Sequence, residues 1–391
     1  MINRIIIAYA CENKGSEPGV GYYWTKAISD IFEKESILLI TRKNNDVSSL
    51  FKNKNLKVKG IDLNRRFLFL KKILGVRIYY FIWQFLVFIH LLFNHKNYKN
   101  VIIHQLTFTP MYFPPIFFIL PYKFVWGPIG GGESFPIKYL SAFKIIDIIK
   151  ELLRLLMRYS IYINPLFYAG CINSTNIICS SPDSANMIPK IFHKKVSTEI
   201  MVFDEDKEIS TLKKSKTIVI ANRLIDWKMT HLFVQAFYEF TNENKTEYTL
   251  TIIGDGPYYD KIKPFLENKN IFHFKRFEHR EDMLSHLKKA SLFVSMSLHD
   301  SGAASLLEAM SYGVPFFVTN TGAHKVYLNK KVGFSFDLES YNDDLEKIKL
   351  SLKKLLNDDI LSVESDKIMN CYNNYFREEV KIKRIKTILD K

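Results

Sequence analysis

Cysteine is scarce in this chain: Cys11, Cys171, Cys179 and Cys371 are the only four among 391 residues. They form no C-x-x-C pair and have no histidine-rich spacing around them. That argues against structural zinc and against a disulfide scaffold, and it fits a reducing cytoplasm. Long apolar runs are also missing. The longest, Ile78 to Phe93, is interrupted by Gln84 and His90. It is shorter than the roughly 20 residues a membrane-spanning helix takes, so it reads as a core or interfacial helix. No export signal is expected either. Arg4 and the run Ile5 to Ala10 before Cys11 superficially match a lipoprotein signal, but the run is too short and reads better as a first buried strand. Internal repeats and a low-complexity tail are absent.

Acidic residues are sparse in the first half. Residues 1–203 hold 12 Asp and Glu against 26 Lys and Arg, whereas 204–391 hold 28 against 29. A basic, aromatic-rich half suits an anionic partner, either nucleic acid or an anionic membrane surface. No nucleic-acid-binding signature accompanies the scattered lysines, so nucleic acid is not expected and the membrane surface is preferred. Plain solubility charge remains the alternative.

Apolar strand-like runs alternate with helix-like ones. Strands are expected at 2–10, 36–41, 56–61, 101–104 and 176–180, with helices at 22–33, within 65–94, at 143–159 and from 183. A charged stretch, 204–216, reads as an interdomain linker. Beyond it strands are expected at 217–221, 248–253, 271–274, 291–295 and 315–319, with helices at 229–241, 257–268, 280–289 and 304–312. A final helix is expected over 371–391. Such alternation predicts doubly wound parallel sheets, whose ligands bind beyond the carboxyl ends of the strands.

Chemistry concentrates in loops that follow strands. Residues 296–313, MSLHDSGAASLLEAMSYG, enter from an apolar run, turn at Gly302 and open a helix that stops at Gly313, with Pro315 beyond. Free N–H groups and the helix dipole make such a turn an anion site. Asp300 and Glu308 bracket the helix start. In Ala221 to Lys228, Arg223 and Lys228 suit a phosphate group, or else are surface residues at a helix start. Ile252-Ile253-Gly254-Asp255-Gly256-Pro257 either presents backbone to a ligand or simply turns into a helix. It lacks the full G-x-G-x-x-G of a dinucleotide site. Glu17-Pro18-Gly19-Val20-Gly21 follows the first strand as a glycine loop able to approach a phosphate or sugar, or as a plain loop. His104 ends a strand, as a sugar hydrogen-bond donor or as a structural histidine. Gly130-Gly131-Gly132 before Glu133 implies backbone passing close to something.

Together these segments resemble the family 4, or group 1, retaining glycosyltransferases of the GT-B fold, over nearly the whole chain. The resemblance rests on Asp300 and Glu308 with seven residues between them, on Ala309-Met310, Gly313 and Pro315, on Arg223-Leu224 with Lys228, on 252–257, on Glu17 to Gly21, and on Trp126 to Glu133. It implies two Rossmann-like doubly wound α/β domains facing each other across a cleft: residues 1–203 for the acceptor, with helix 371–391 packing back on them, and 204–370 for the nucleotide sugar. It also implies roles. Glu308 would bond the ribose hydroxyls. Arg223 and Lys228 would hold the diphosphate with backbone N–H groups near Ser305 and Leu306. Asp300 and the backbone of Ser301, Gly302 and Ala303 would hold the sugar, with Gly254 in the neighbouring turn. Arg276 and Phe277 would lie near the base, His104 would face the sugar, and Gly19, Val20 and Gly21 would close over the phosphates. Three positions depart from the family pattern: Asp300 where Glu is usual, and Asn222 and Met229 where Gly often stands.

The resulting expectation is a retaining, hexosyltransferase-type enzyme that needs neither metal nor cofactor. It would move a sugar from a nucleoside diphosphate sugar to a hydroxyl of a glycan or lipid-linked acceptor in synthesis of a surface polysaccharide such as capsule or lipopolysaccharide. It would be cytoplasmic and peripheral on the inner face of the cell membrane. A nucleotide-sugar epimerase of the same fold, and a non-catalytic membrane-associated binding protein, are the alternatives.

Overall fold

Runs of isoleucine, valine and leucine become two parallel sheets in the computed structural model, which describes residues 2–64, 70–98, 100–108, 110–204, 214–275, 277 and 279–390. The chain divides into two compact units, 1–132 with 156–203 and 382–391, and 133–155 with 204–381. Strands buried on both faces read as unbroken apolar runs rather than alternating ones, and most of these do.

In the first unit the chain runs β1 (Arg4–Ala8), α1 (Ser16–Ile31), β2 (Ile37–Thr41), β3 (Leu56–Gly60), α2 (Leu70–Phe93), β4 (Ile102–Gln105) and β5 (Lys123–Ile129). Helix α3 (Ile145–Ser160) straddles the two units, and α4 (Pro165–Asn173), β6 (Ser174–Cys179), α5 (Pro182–Met187) and β7 (Val196–Thr198) complete the first. The sheet order is β3-β2-β1-β4-β5-β6-β7. At its centre Ile6 of β1 sits between Leu39 and His104.

Helix α1 starts six residues before the expected Tyr22, so Glu17 to Gly21 is helix, not loop. Pro18 is tolerated because it lies in the first turn, and Glu17 suits the dipole there. Gly21 is needed for packing: a Cβ there would overlap the Ala10 carbonyl oxygen, two residues beyond the end of β1. Helix α2 is longer than the apolar run suggested. Its stretch Gly75–Phe93 has the length and composition to cross a membrane, yet is one-third buried. Tyr79, Tyr80, Trp83, Val87 and Leu91 line a core of this unit, with Phe81, Phe85 and Phe93 exposed.

The second unit contains β8 (Thr217–Ala221), α6 (Thr230–Glu243), β9 (Thr249–Ile253), α7 (Tyr259–Ile262), β10 (Ile271–Phe274), α8 (Arg280–Lys289) and β11 (Leu292–Ser295). After these come α9 (Ala304–Ser311), β12 (Phe316–Thr319), α10 (His324–Leu328), β13 (Phe334–Phe336), α11 (Tyr341–Leu355), α12 (Asp358–Cys371) and α13 (Glu378–Leu389). The order is β10-β9-β8-β11-β12-β13, all parallel.

Residues 133–155 belong with this second unit rather than with the first half. Phe135, Tyr139 and Phe143 enter its core beside Phe233, Phe237 and Leu250, and the Tyr139 hydroxyl donates to Asp344. The expected helix 371–391 is broken: α12 ends at Cys371, a π-turn spans Tyr372–Phe376, and α13 follows. Only 382–391 joins the first unit, where Ile385, Ile388 and Leu389 enter the core and Arg384 forks onto Glu199 at 2.9 Å. Most of the stretch read as a linker, 205–213, lies outside the described residues.

Candidate active site

Three loops leave the carboxyl ends of β8, β9 and β11 in the second unit, and they carry most of the residues singled out above. The first and second support each other. Asn222 N donates to Ile253 O (3.0 Å) and Leu224 N to Asp255 O (3.0 Å). Gly254 (φ 148°) and Gly256 (φ 155°) allow this, since a Cβ on either would overlap the carbonyl oxygen of Asn222 or Leu224. The Gly-Asp-Gly-Pro turn therefore makes room for the chain's own Arg223 loop. Asn222, the departure from glycine, accepts from Thr230 Oγ1 at 2.8 Å and ties the loop to α6.

A tight turn, Asp226–Lys228, then delivers Lys228, and Met229 adopts a left-handed conformation (φ 46°, ψ 30°). Glycine is the unstrained choice at such a position, where a side chain costs about 1–2 kcal/mol. Here that side chain is fully buried and offsets the strain by joining the core. The Lys228 ammonium pairs with the Asp300 carboxylate and lies 4.6 Å over the Trp227 ring. Arg223 is exposed, and its guanidinium makes no hydrogen bond or ion pair among the described residues.

Asp300 is fixed from all sides. Its Oδ1 accepts the N–H groups of Gly302 (3.0 Å) and Ala303 (3.1 Å), and its backbone oxygen accepts Ala323 N at 2.7 Å. Burial alone would raise its pKa. The Lys228 charge, the nearby His324 and these hydrogen bonds outweigh burial and hold the carboxyl well below the usual range. Ala303 is left-handed (φ 50°, ψ 44°) and starts α9 without a side-chain cap. Leu306 N bonds Ala303 O, so that N–H is not available to a ligand. The N–H groups of Ala304 and Ser305 have no partner among the described residues, and they sit at a positive helix end. Glu308, on the buried side of α9, pairs with Arg280 at the start of α8. Sequence reasoning did not find Arg280.

A second layer was also missed. His299 stacks on Trp227 (centroids 4.8 Å) and on Phe135 (6.0 Å), and its Nε2 donates to Glu151 Oε1 at 3.0 Å. Glu151 also takes Arg154 Nε at 2.7 Å, and Arg154 Nη1 reaches Glu133 O at 2.9 Å. Burial pushes the Glu151 pKa up, but the bonds and charges of His299 and Arg154 pull it below its ordinary value. This layer backs the Lys228–Asp300 pair through the residue preceding each member.

The remaining residues lie elsewhere. Phe277 stacks on His286 at 5.1 Å, and Arg276 is outside the described residues. In the first unit His104 is not on a surface. It is 3% exposed, donates to Gly127 O at 2.8 Å and meets the Trp24 ring edge-on. It is a core histidine, placed there by its register on the central strand β4. Gly19, Val20 and Gly21 are buried in α1 rather than free to close over a ligand. The glycines before Glu133 pass close to their own chain: Gly132 abuts the Ser184 backbone, and its N–H bonds Ser184 Oγ at 3.2 Å.

Burial holds three imidazoles neutral: His104 is pushed down to about 3, and His231 and His324 to about 4. An unfolded imidazole protonates near pH 6.5. Between that value and the lowered ones the unfolded chain binds more protons, so stability is present above pH 6.5 and lost as pH falls. Each histidine contributes about 1 kcal/mol per pH unit in this window. The expected result is a melting temperature several degrees lower at pH 5 than at pH 7, read by thermal melts. Equal values at the two pH values would show these histidines to be accessible.

The fold is matched by known proteins. Residues 202–372 match the family described as glycosyl transferases group 1, and the chain has the GT-B fold. Its structure superposes on the lipopolysaccharide outer core galactosyltransferase WaaB with a TM-score of 0.61 at 13% identity, over 100% of this chain and 99% of that one. Against Anabaena HepE in complex with UDP and glucose the TM-score is 0.59 at 11% identity, over all of both chains. WaaG, a glycosyltransferase involved in lipopolysaccharide biosynthesis, gives 0.59 at 11%, over 99% and 100%. In sequence the chain is similar to Protein CapJ of Staphylococcus aureus, 25% identical over 209 residues, which is half of each protein.

Proposed function

We propose that this chain is a retaining glycosyltransferase that takes a nucleoside diphosphate sugar and glycosylates a hydroxyl of a glycan or lipid-linked acceptor in surface polysaccharide synthesis. One observation carries the reading. Two cations, Arg223 and Lys228, share a strand-end loop facing the uncapped start of α9, which follows Asp300 and carries Glu308. A breaking sugar–diphosphate bond leaves negative charge on the diphosphate, and these groups neutralise it. Lys228 has three donors and gives one to Asp300, so it can serve carboxylate and phosphate together. Glu308 accepts from the ribose hydroxyls, Asp300 orients the sugar, and no metal is required.

Anabaena HepE, of the same fold, has a crystal structure in complex with UDP and glucose. That complex and the group 1 match over 202–372 support a nucleotide sugar at this site. The basic first half serves the acceptor and an anionic membrane surface, at the inner face of the cell membrane. Front-side attack, with the leaving phosphate taking the acceptor proton, needs no protein nucleophile. Proton NMR of the product should show the donor's anomeric configuration retained, with turnover unchanged by EDTA. An inverted product would contradict the mechanism.

A further inference from the structure

A cleft of about 740 Å³ lies away from the strand-end loops of the candidate site, and none of residues 222–228, 254–257 or 296–304 lines it. Its walls come from α6, from α7 and the turn after it, from the start of α11, and from residues 138–142. All of these belong to the second unit. The volume falls within the range of small-molecule sites, roughly 300–1,000 Å³.

His231 of α6 is the one buried residue of the lining, so it forms the floor. It is 5% exposed, and neither Nδ1 nor Nε2 has a hydrogen-bond partner. Its ring stacks on Tyr341 (centroids 5.7 Å, 21° between planes), whose hydroxyl donates to Gln235 Oε1 at 2.9 Å. The aromatic floor is thus fixed while its polar edge is unused. Burial, helped by the Lys261 charge, holds the imidazole neutral, so it offers one N–H donor and one acceptor. A buried polar group without a partner costs free energy, which a ligand's hydrogen bond recovers.

The rim supplies charge. Lys138 and Lys261 are exposed, and neither ammonium makes an ion pair among the described residues. At the start of the 15-residue α11, the N–H groups of Tyr341 and Asn342 have no partner among the described residues. They add the positive end of a helix to the two lysines. The acids of that turn are already committed: Asp343 accepts the Ser340 hydroxyl and Asp344 the Tyr139 hydroxyl. Asp260, the other carboxylate at the cleft, suits a ligand's hydroxyl donors. We propose that this cleft binds a phosphate monoester of a polyhydroxylated small molecule, such as a sugar phosphate. The phosphate, close to doubly charged at pH 7, meets Lys138, Lys261 and the α11 N–H groups. The hydroxyls meet Asp260 and Asn342, and His231 takes the hydrogen bond it lacks.

The test is calorimetric titration of the full chain with glucose 6-phosphate, with glucose as the uncharged control. Glucose 6-phosphate should bind and glucose should not. Lys138→Gln/Lys261→Gln should weaken binding by about tenfold or more at unchanged melting temperature, since two charge-assisted contacts are lost from exposed positions. His231→Phe, which keeps a ring on Tyr341 and removes both nitrogens, should weaken it as well. Saturating UDP should leave the affinity unchanged. No binding of glucose 6-phosphate, equal binding of glucose, or wild-type affinity in either variant overturns the proposal. Displacement by UDP overturns it too, because it assigns the phosphate to the candidate active site. A chain that binds glucose 6-phosphate but not UDP keeps this cleft and loses the donor site, so the two readings fail separately.

Discussion

Lys228→Ala should lower kcat about 10²–10³-fold, the loss seen when one preorganised group is removed from a developing negative charge. The structure adds a second expectation. Lys228 and Asp300 are both nearly buried, with 14% and 12% of their side chains exposed. Removing one member leaves a carboxylate with only the Gly302 and Ala303 N–H groups, at a cost of about 3 kcal/mol. Melting temperature should fall with activity. The double variant Lys228→Ala/Asp300→Asn should recover much of the stability, because a neutral amide still accepts both N–H groups, and none of the activity. If activity returned with stability, the lysine would be structural only. The pH dependence points the same way. The lowered Asp300 pKa contributes stability that is present above about pH 4 and is lost as pH falls through the folded value. Lys228→Ala should shrink or reverse that dependence: burial then raises the Asp300 pKa without its counter-charge, so protonation at lower pH relieves the variant.

Glu308→Ala should act on binding rather than on the chemical step. A carboxylate accepting two ribose hydroxyls contributes in ground and transition states alike, so its loss raises the donor KM, by about 10²-fold, with a smaller change in kcat. UDP or another nucleoside diphosphate product should lose affinity by the same factor in calorimetry. The stability change should be small, since Arg280 is 59% exposed and such pairs contribute about 0–1 kcal/mol. A large drop in kcat at constant KM would place Glu308 at the reacting centre instead. Run together, the two variants separate the halves of the 296–313 segment.

The second sheet was legible because its strands are continuous apolar runs and the loops of the candidate site follow them. The same rhythm gave the positions of Arg223, Lys228, Asp300 and Glu308. What was not legible depends on distance along the chain. The Arg280–Glu308 pair spans 28 residues and the His299–Glu151 bond 148, and no local pattern signals either. Residues 133–155 carry first-half composition, yet Phe135, Tyr139 and Phe143 bury in the second core. Glu17 to Gly21 misled for a local reason: glycines mark loops by default, whereas Gly21 is small so that α1 can touch β1. His104 misled because a strand end in sequence is the sheet centre in space.

The central claim is that the β8 and β11 loops bind a nucleotide sugar and discharge it. Release of nucleoside diphosphate, measured over a panel of donors with lipid-linked acceptors present, tests it most directly. The wild-type chain should give acceptor-dependent release from at least one donor, and Lys228→Ala essentially none. Equal release by the two proteins, or release from a donor without any acceptor, would contradict it.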